Sequence, residues 1–441
     1  MMSVNYEEML KNLYAVHPES KIKLGLDRIN ELLKRLGNPQ NAFEYIHVGG
    51  TNGKGTVVKA ISSVLAAHGL NVGSYFSPHV ETFRERIRFN DEYISKDETV
   101  EIFEEVMEQA EKMTSEEMAP TFFEIVTAMA FLYFKKKKAD VVVSEVGLGG
   151  RFDATNVVEN PLISVITSVD FDHMDTLGND ISSIAFEKAG IIKKNVPVIL
   201  GDMNSEAFKV ISSRAKELNS ELVKWGKDYK TFNEEFELGK NSFDVVVEKN
   251  KIHLETRMNG IQAMKNIGVA VAALMKLEEA GLFELDEKKT FDAIFTLNLK
   301  GRFEWLPADI TMILDVAHNK PATKVLAENL KRYFPSKRVN AVVGILNDKD
   351  YSGMIDELIP AVEKIYITSP LNSRAVDPFG IYSWAVRKYN HVGFVRDIKD
   401  AVNTCYDMCK NEDAVMLVCG SFYTVGPARA FLTGNVEADG E

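Results

Sequence analysis

The sequence has little cysteine, no long apolar run and no excess of basic residues. Its three cysteines, Cys405, Cys409 and Cys419, lie near the end of the 441-residue chain. So few cysteines argue against a disulfide framework and favour a reducing, cytoplasmic compartment. The most apolar stretch, 267–275, is much shorter than the ~20 residues of a membrane span. A formal net charge of −12 argues against broad binding of nucleic acid or anionic membranes, which needs a basic surface.

Short β-branched runs alternate with helix-period segments along most of the chain. This alternation predicts parallel strands joined by crossover helices, hence an α/β fold with helices on both sheet faces. The first series has strands at 45–48, 72–76, 140–145, 162–167 and 196–200, helices at 54–68, 100–112, 122–134 and 205–218, and a hairpin insertion at 221–257. The second has strands at 311–315, 338–344, 364–368, 392–396 and 414–419, and helices at 321–334, 351–361, 378–388 and 398–409.

The two series predict two α/β domains, the second an independent Rossmann-like sheet. We place the boundary near Leu299, which gives a first domain of residues 1–298 and a second of residues 299–441. Residues 300–307 are predicted to be the linker.

A glycine-rich turn follows the first predicted strand and leads directly into a helical pattern. Strand, glycine turn and helix in this order predict a phosphate-binding loop and a P-loop NTPase-like first domain. Lys54 would reach the β- and γ-phosphates of ATP, and Thr56 would offer its hydroxyl to Mg²⁺. The spacing differs from the common G-x-x-x-x-G-K-[ST] form because Gly55 separates these two residues. The expected ATP-binding residues here are Asn52, Gly53, Lys54, Gly55 and Thr56.

A second glycine cluster follows the strand at 140–145. It does not match a dinucleotide-binding fingerprint, because Phe152 stands where the third glycine belongs. The sequence therefore argues against a nicotinamide or flavin enzyme.

Several motifs, taken in order, resemble the Mur ligase superfamily and, more narrowly, the folylpolyglutamate synthase/dihydrofolate synthase family. The phosphate loop G-T-N-G-K-G-T is one of them. The others are L-G-L-D-R from Leu24, F-S-P-H from Phe76, E-R-I from Glu85, E-V-G-L-G-G-R-F-D-A-T-N from Glu145, D-H-M-D-T-L-G from Asp172, E-K-A-G-I from Glu187, G-R-F-E from Gly301 and D-V-A-H-N from Asp315.

The resemblance implies an ATP- and magnesium-dependent ligase of folate metabolism. The family transfers the γ-phosphoryl group of ATP to a pterin-bearing carboxylate, and the amino group of L-glutamate then attacks the acyl phosphate. The protein must neutralise the charge of these groups. We expect a bifunctional enzyme, acting on tetrahydrofolate and on dihydropteroate. The alternatives are a tail-extending synthase alone, another Mur-type amide ligase, which usually carries Thr-Thr after the loop lysine, or a P-loop regulatory NTPase.

The resemblance also assigns the metal ligands. Ser77, Glu145 and His173 each follow a predicted strand, and such strand ends gather beside the phosphate loop in a parallel sheet. Together with Thr56 they are the expected magnesium ligands. By resemblance Lys188 carries a carbamate that holds a second Mg²⁺, a modification that requires a neutral, buried amine. Read without the resemblance, Lys188 is a surface helix lysine and His173 a loop histidine.

The remaining assignments concern the two substrates. By resemblance Asn266, Arg302 and Asp315 contact ATP, and His318 joins Lys54 and Lys188 as a catalytic residue facing the cleft. The pterin site is assigned to Leu26, Asp27, Arg28, Thr121, Phe122, Phe123, Glu124, Phe152, Asp153 and Ala154. Core packing explains Phe122 and Phe123 equally well, and Arg84, Arg86 and Arg88 fit either carboxylate binding or a solvated edge strand. We expect a monomer that binds small molecules only, with a possible monovalent-ion requirement.

Overall fold

The structure is a computed structural model that describes residues 5–16, 25–113, 118–372, 375 and 377–439. Leu24, the first residue of one motif above, lies outside the described residues. In the described part of the first half, an eight-stranded sheet has the order β4-β3-β2-β5-β1-β6-β7-β8. Its strands are β1 (Glu44–Gly49), β2 (Val72–Tyr75), β3 (Ile87–Phe89), β4 (Glu92–Tyr93), β5 (Val141–Glu145), β6 (Ile163–Ile166), β7 (Val198–Leu200) and β8 (Leu222–Lys224).

The pairings are parallel except those of β3 and β4, which form an antiparallel edge. Buried β-branched residues fill the central strands, as a sheet covered on both faces requires. The helices of this half are α1 (Tyr6–Ala15), α2 (Asp27–Arg35), α3 (Lys54–Ala67), α4 (Lys96–Ala110), α5 (Phe122–Lys136), α6 (Met174–Leu177), α7 (Ile181–Ala189), α8 (Ser205–Glu217), α9 (Ile261–Glu279) and α10 (Glu287–Phe295).

Residues 221–257 contribute β8 and a separate antiparallel sheet. That sheet consists of β9 (Tyr229–Glu235), β10 (Asn241–Val247) and β11 (Asn250–Thr256), in the order β11-β10-β9. It shares one apolar core with α3 and α9, in which Phe243, Ile267 and Ile61 are fully buried. The apolar run 267–275 is thus a buried helix segment. No helix of the described residues is long and apolar enough to cross a membrane.

A second sheet, six-stranded among the described residues, has the order β12-β13-β17-β14-β15-β16. Its pairings are parallel except that of β12. The elements are β12 (Glu304–Pro307), β13 (Thr311–Asp315), α11 (Lys320–Tyr333), β14 (Val339–Val343), α12 (Tyr351–Leu358), β15 (Lys364–Ile367), α13 (Pro378–Ala385), β16 (Val392–Phe394), α14 (Ile398–Glu412), β17 (Val415–Cys419) and α15 (Phe422–Thr433).

In this half one local prediction was wrong, and one helix was not predicted. The segment 300–307, predicted to be a linker, contains the edge strand β12, whose Glu304 to Pro307 pair with Leu314 to Thr311. Four residues ending in proline give too little pattern to indicate a strand, but proline is tolerated at a sheet edge. Helix α15 was not predicted, because Gly426 and Pro427 lie inside it.

The two halves are in direct contact. Gly426 of α15 touches the chain after β2, because a Cβ atom there would lie 1.9 Å from the Val80 carbonyl oxygen. Arg429, one helical turn further on, pairs with both Glu81 and Glu304. The strand ends of the first sheet therefore face the second sheet across one cleft.

Candidate active site

The phosphate loop, between β1 and α3, depends on glycine at Gly53. Gly53 adopts φ of +90°, and a Cβ atom there would lie 2.5 Å from the Asn266 amide, so glycine is required on both counts. Asn52 N donates to Ser168 Oγ at 3.0 Å. Lys54 Nζ donates to the carbonyl oxygens of Gly50 and Thr51, each at 3.2 Å. These contacts hold the Lys54 ammonium at the phosphate loop.

Glu145, at the end of β5, lies beside this loop. Its Oε1 is 3.9 Å from Lys54 Nζ, and its Oε2 accepts from Ser77 N at 3.3 Å. Burial raises the pKa of Glu145, and the charges of Lys54 and Arg302 oppose the rise. Gly55 packs against the same carboxylate, and Thr56 is buried in the first turn of α3.

Ser77 supplies the observation that tests this corner as a magnesium site. Its Oγ is buried and has no hydrogen-bond partner among the described residues, which is costly unless a ligand binds it. A hydroxyl and a carboxylate are oxygen ligands of the type magnesium prefers. Among the described residues no three His, Cys, Asp or Glu side chains converge as ligands of one metal. The residues therefore fit an ion that takes its other ligands from phosphate and water.

His173 lies elsewhere on the cavity wall. Its Nε2 is 3.9 Å from Asp172 Oδ1, and burial lowers its pKa to about 4. The imidazole is therefore neutral at physiological pH and able to act as a ligand.

Lys188, on α7, is the most perturbed amine of the site. Its side chain is buried, and burial together with the charge of Lys54 lowers its pKa to about 7, against the opposing effect of Asp172 and Asp153. A lysine with this pKa is about half neutral at pH 7 and mostly neutral above it, and the neutral nitrogen is nucleophilic.

Asp172 connects the two halves of the molecule. Lys349 Nζ donates to its Oδ1 at 2.7 Å, Asn319 Nδ2 donates to its Oδ2 at 3.0 Å, and His318 Nε2 is 3.6 Å from Oδ2. Although burial opposes it, His318 and then Lys349 hold the pKa of Asp172 well below its usual range. Asn319 Nδ2 is also 3.3 Å from Asn52 Oδ1, and Asn52 Nδ2 is 3.4 Å from Asn319 Oδ1, so this network reaches the phosphate loop.

Arg302 and Asp315 lie on the second-half side. The Arg302 guanidinium is 5.2 Å from the Phe422 ring centre, and burial lowers its pKa against the charges of Glu145 and Asp315. Asp315 accepts from the backbone N–H groups of Phe303 and Ala317, both at 2.8 Å. Its carboxylate thus holds the two chain segments that flank it.

Thr121 and Glu124 begin helix α5 as a reciprocal capping box. Glu124 N donates to Thr121 Oγ1 at 3.3 Å, and Thr121 N donates to Glu124 Oε2 at 2.7 Å. The same oxygen accepts from Arg28 Nε at 3.1 Å. The Thr-x-x-Glu spacing was a readable signal for this cap. Leu26 is half-buried in front of α2, and Asp27 is exposed on it.

The neighbouring aromatic residues pack around the cavity. Phe122 stacks on Tyr14 with ring centres 5.4 Å apart, and the Arg86 guanidinium lies 5.4 Å from its centre. Phe123 covers Gly147, where a Cβ atom would lie 2.4 Å from its ring. Phe152 is 36% exposed at the cavity wall, so it is available to a ligand.

One cavity of about 1090 Å³ joins these groups. Its wall includes, among the described residues, Asn52, Gly53, Lys54, Ser77, Thr121, Phe122, Phe123, Glu124, Glu145, Phe152, Asp153, Ala154, His173, Lys188, Arg302 and His318. As far as the described residues define this wall, it does not include Leu26, Asp27, Arg28, Gly55, Thr56, Asn266 or Asp315. It does include Arg86 and Lys349. Of these two, Lys349 was missed by sequence reasoning, although it follows a strand, as Ser77, Glu145 and His173 were predicted to do.

The chain matches two family models. Residues 48–274 match the Mur ligase middle domain, and residues 301–422 match the Mur ligase, glutamate ligase domain. The fold and the site therefore define an acid–amino-acid ligase of the Mur type, as the sequence predicted.

Curated relatives and solved structures narrow this class. The dihydrofolate synthase/folylpolyglutamate synthases of Bacillus subtilis and Escherichia coli are both 34% identical, over 92% and 94% of this chain and 95% and 92% of theirs. A folylpolyglutamate synthase structure from Thermotoga maritima is 39% identical, with a TM-score of 0.85 and 98% of each chain covered. A bifunctional enzyme from Yersinia pestis, solved with AMPPNP and a Mn ion, is 30% identical, with a TM-score of 0.85 over 97% and 98% of the two chains. The chain belongs to the dihydrofolate synthase/folylpolyglutamate synthase family.

Proposed function

We propose that this protein joins L-glutamate to pterin-bearing carboxylates at the expense of ATP, and that it accepts both dihydropteroate and tetrahydrofolate. One observation carries the proposal: the phosphate loop, Phe152 to Ala154 and Lys188 line one and the same cavity. The Bacillus subtilis and Escherichia coli relatives are named for both activities. A 32% identical relative from Lacticaseibacillus casei is named folylpolyglutamate synthase alone, which keeps a tail-extending enzyme as the alternative.

The cations of the cavity offset the charge that develops during transfer. Lys54 would exchange the carbonyl oxygens of Gly50 and Thr51 for phosphate oxygens, and Arg302 would add its planar guanidinium from the second half. Magnesium, held by Ser77, Glu145 and Thr56 together with ATP, would neutralise phosphate charge. His173 remains a proposed further ligand.

Lys188 would act as a carbamate. Its neutral amine attacks the carbon of CO₂, and the nitrogen releases one proton, so a neutral buried side chain becomes an anion. That anion would lie near Lys54, whose charge already disfavours a protonated Lys188. A second metal ion would be its partner.

The contacts around Asp172 suit an ATP-dependent closure of the two halves. His318 Nδ1 lies 2.9 Å from the Val316 carbonyl oxygen and donates to it, which points Nε2 at Asp172. We infer that His318, which lines the cavity, contacts the reacting groups in the cleft. A ribose contact for Asp315 and a pterin contact for Asp27 stay predictions.

The deciding experiment measures ADP release with Mg-ATP and glutamate, offering dihydropteroate and tetrahydrofolate separately, with products weighed by mass spectrometry. Addition of one glutamyl unit to both acceptors supports the full proposal. Turnover of tetrahydrofolate alone leaves the tail-extending enzyme. ADP release that does not depend on glutamate would contradict a ligase.

Three further assignments belong to the proposal. The domain boundary is placed between residues 298 and 299, just before β12. The protein is proposed to be a monomer, which sedimentation analysis would test. Three free, buried cysteines support a cytoplasmic location, which fractionation of cells would test.

A further inference from the structure

His47 begins a buried series of hydrogen bonds that links the phosphate-loop strand to Asp153 on the cavity wall. It lies on β1, two residues before the loop. Its Nε2 is 2.8 Å from Thr155 Oγ1, and that hydroxyl donates to Asp153 Oδ1 at 2.5 Å. His47, Thr155 and Asp153 are 1%, 0% and 5% exposed. Water therefore does not compete for these bonds.

The hydrogen-bond donors around Asp153 determine which atom donates in each of these hydrogen bonds. Oδ1 also accepts from Thr155 N at 3.0 Å, and Oδ2 accepts from Leu148 N at 2.8 Å. A carboxyl group that receives these donors acts as an acceptor, so the Thr155 hydroxyl proton points to it. The Thr155 oxygen must then accept from His47, whose proton is on Nε2. Burial and the charge of Lys193 lower the pKa of His47 to about 3, which keeps the ring neutral.

Of these three residues, Asp153 is the one that lines the cavity. Among the described residues the cavity wall includes Asp153 but neither His47 nor Thr155. By accepting from Leu148 and from Thr155, the carboxylate closes the loop between them into one fixed shape. His47 anchors this loop to β1, which pairs with β5 and β6 on its two sides and is therefore a rigid support.

We propose that His47, acting through Thr155, is a positioning residue that holds the loop of Asp153 in the shape that receives the pterin-bearing substrate. The identity of that substrate rests on the proposed function. The effect on the loop does not, because it follows from the contacts alone.

Thr155→Val removes the hydroxyl, and with it both hydrogen bonds, with almost no change of side-chain volume. Thr155→Ser, which keeps the hydroxyl, is its matched control. His47→Leu removes the donor, whereas His47→Gln keeps an N–H donor near the position of Nε2. Two readouts are needed. The first is amide hydrogen exchange of the segment 146–156, with the phosphate-loop segment as an internal reference. The second is KM for tetrahydrofolate and for ATP, measured separately.

We expect Thr155→Val and His47→Leu to accelerate exchange in 146–156 and to raise KM for tetrahydrofolate about tenfold, which is the size of effect expected for losing one buried hydrogen bond. KM for ATP should stay within about twofold, and the two control variants should restore both readouts. Unchanged exchange, or a KM for ATP that rises equally, would overturn the proposal. A wild-type protein without turnover on any pterin-bearing acceptor would defeat the proposed function and the substrate assignment, while exchange would still decide whether His47 positions the loop. If Thr155→Val unfolds, His47→Leu and its control decide.

Discussion

Lys349 and Asp172, 177 residues apart in sequence, form a buried ion pair between the two halves of the molecule. The Lys349 ammonium lies 2.7 Å from the Asp172 carboxylate, and the two side chains are 7% and 8% exposed. Asn319 donates to the same carboxylate and also faces Asn52 of the phosphate loop. These contacts therefore link the phosphate loop directly to the second half of the molecule.

Lys349→Met should lower the free energy of unfolding by about 3 kcal/mol, because it leaves the Asp172 charge buried with fewer partners. It should also lower kcat, since the cleft loses a contact that holds it closed. Denaturant unfolding and ADP release measure the two effects. Lys337→Met is the control, because Lys337 pairs with Asp413 at the surface, with side chains 47% and 92% exposed. That change should cost at most about 1 kcal/mol. Equal losses for the two variants would contradict a structural role for the buried pair.

Glu81→Gln should destabilise the protein in a pH-dependent way. Although burial opposes it, Lys300 and then Arg429 lower the pKa of Glu81. Its contribution to stability is therefore fully present above its unfolded pKa of about 4.3 and is lost as pH falls through the lower folded value. The difference in Tm between wild type and variant should be constant from pH 6 to pH 8 and shrink below about pH 4. Glu108→Gln, at an exposed pair on α4, should show no such difference. A gap that widens toward acid pH would refute the assignment.

Lys188→Met should abolish most activity without loss of stability. The pKa of Lys188 is about 7 in the folded state and about 10.4 when unfolded. Between these values the unfolded chain binds the extra proton, so wild-type stability rises with pH, and below pH 7 the buried charge is a penalty. The variant should therefore have its largest advantage in Tm near pH 6 and a smaller one at pH 9.

The exposed Lys194 provides the matched control, Lys194→Met. A carbamate signal in ¹³C NMR after addition of ¹³C-bicarbonate should be present in wild type and Lys194→Met and absent in Lys188→Met. If active wild-type enzyme lacked this carbamate signal, carbamylation of Lys188 would be ruled out.

Ser77→Ala should leave stability unchanged within about 0.5 kcal/mol, because the buried hydroxyl it removes has no partner in the part of the chain that the structure describes. It should raise the magnesium concentration needed for half-maximal activity about tenfold. Ser62→Ala on α3, whose hydroxyl donates to the Lys59 carbonyl oxygen, is the control and should not alter the magnesium requirement. A destabilised Ser77→Ala with an ordinary metal requirement would show that the hydroxyl has a structural role instead.

Lys54→Met should lower kcat by about 10²- to 10³-fold while the fold is retained. Its ammonium donates to two carbonyl oxygens of its own loop and is paired weakly with Glu145. Lys135→Met is the control, because Lys135 also donates to a loop carbonyl oxygen, that of Gly37. ADP release and thermal unfolding measure the outcome, and full activity of Lys54→Met would remove the loop from the mechanism.

The local parts of this site were predictable from sequence. The order of strand, glycine turn and helix at 45–68 is a contiguous pattern, and the structure has β1, the loop and α3 there. The capping box at Thr121 and Glu124 is equally local, although its spacing was not recognised. Helix α15 escaped prediction because proline and glycine inside a helix weaken the periodic signal.

The sequence by itself determined the α/β alternation, the phosphate loop and the family, because each depends on residues close together in the chain. Only the tertiary structure decided which charges meet. Arg429 pairs with Glu81 across 348 residues, and Lys349 with Asp172 across 177. Neither pairing has a sequence pattern, since it depends on how two sheets dock. The lowered pKa of Lys188 has the same origin, because burial is a property of the packed molecule and not of the residues beside it in the chain.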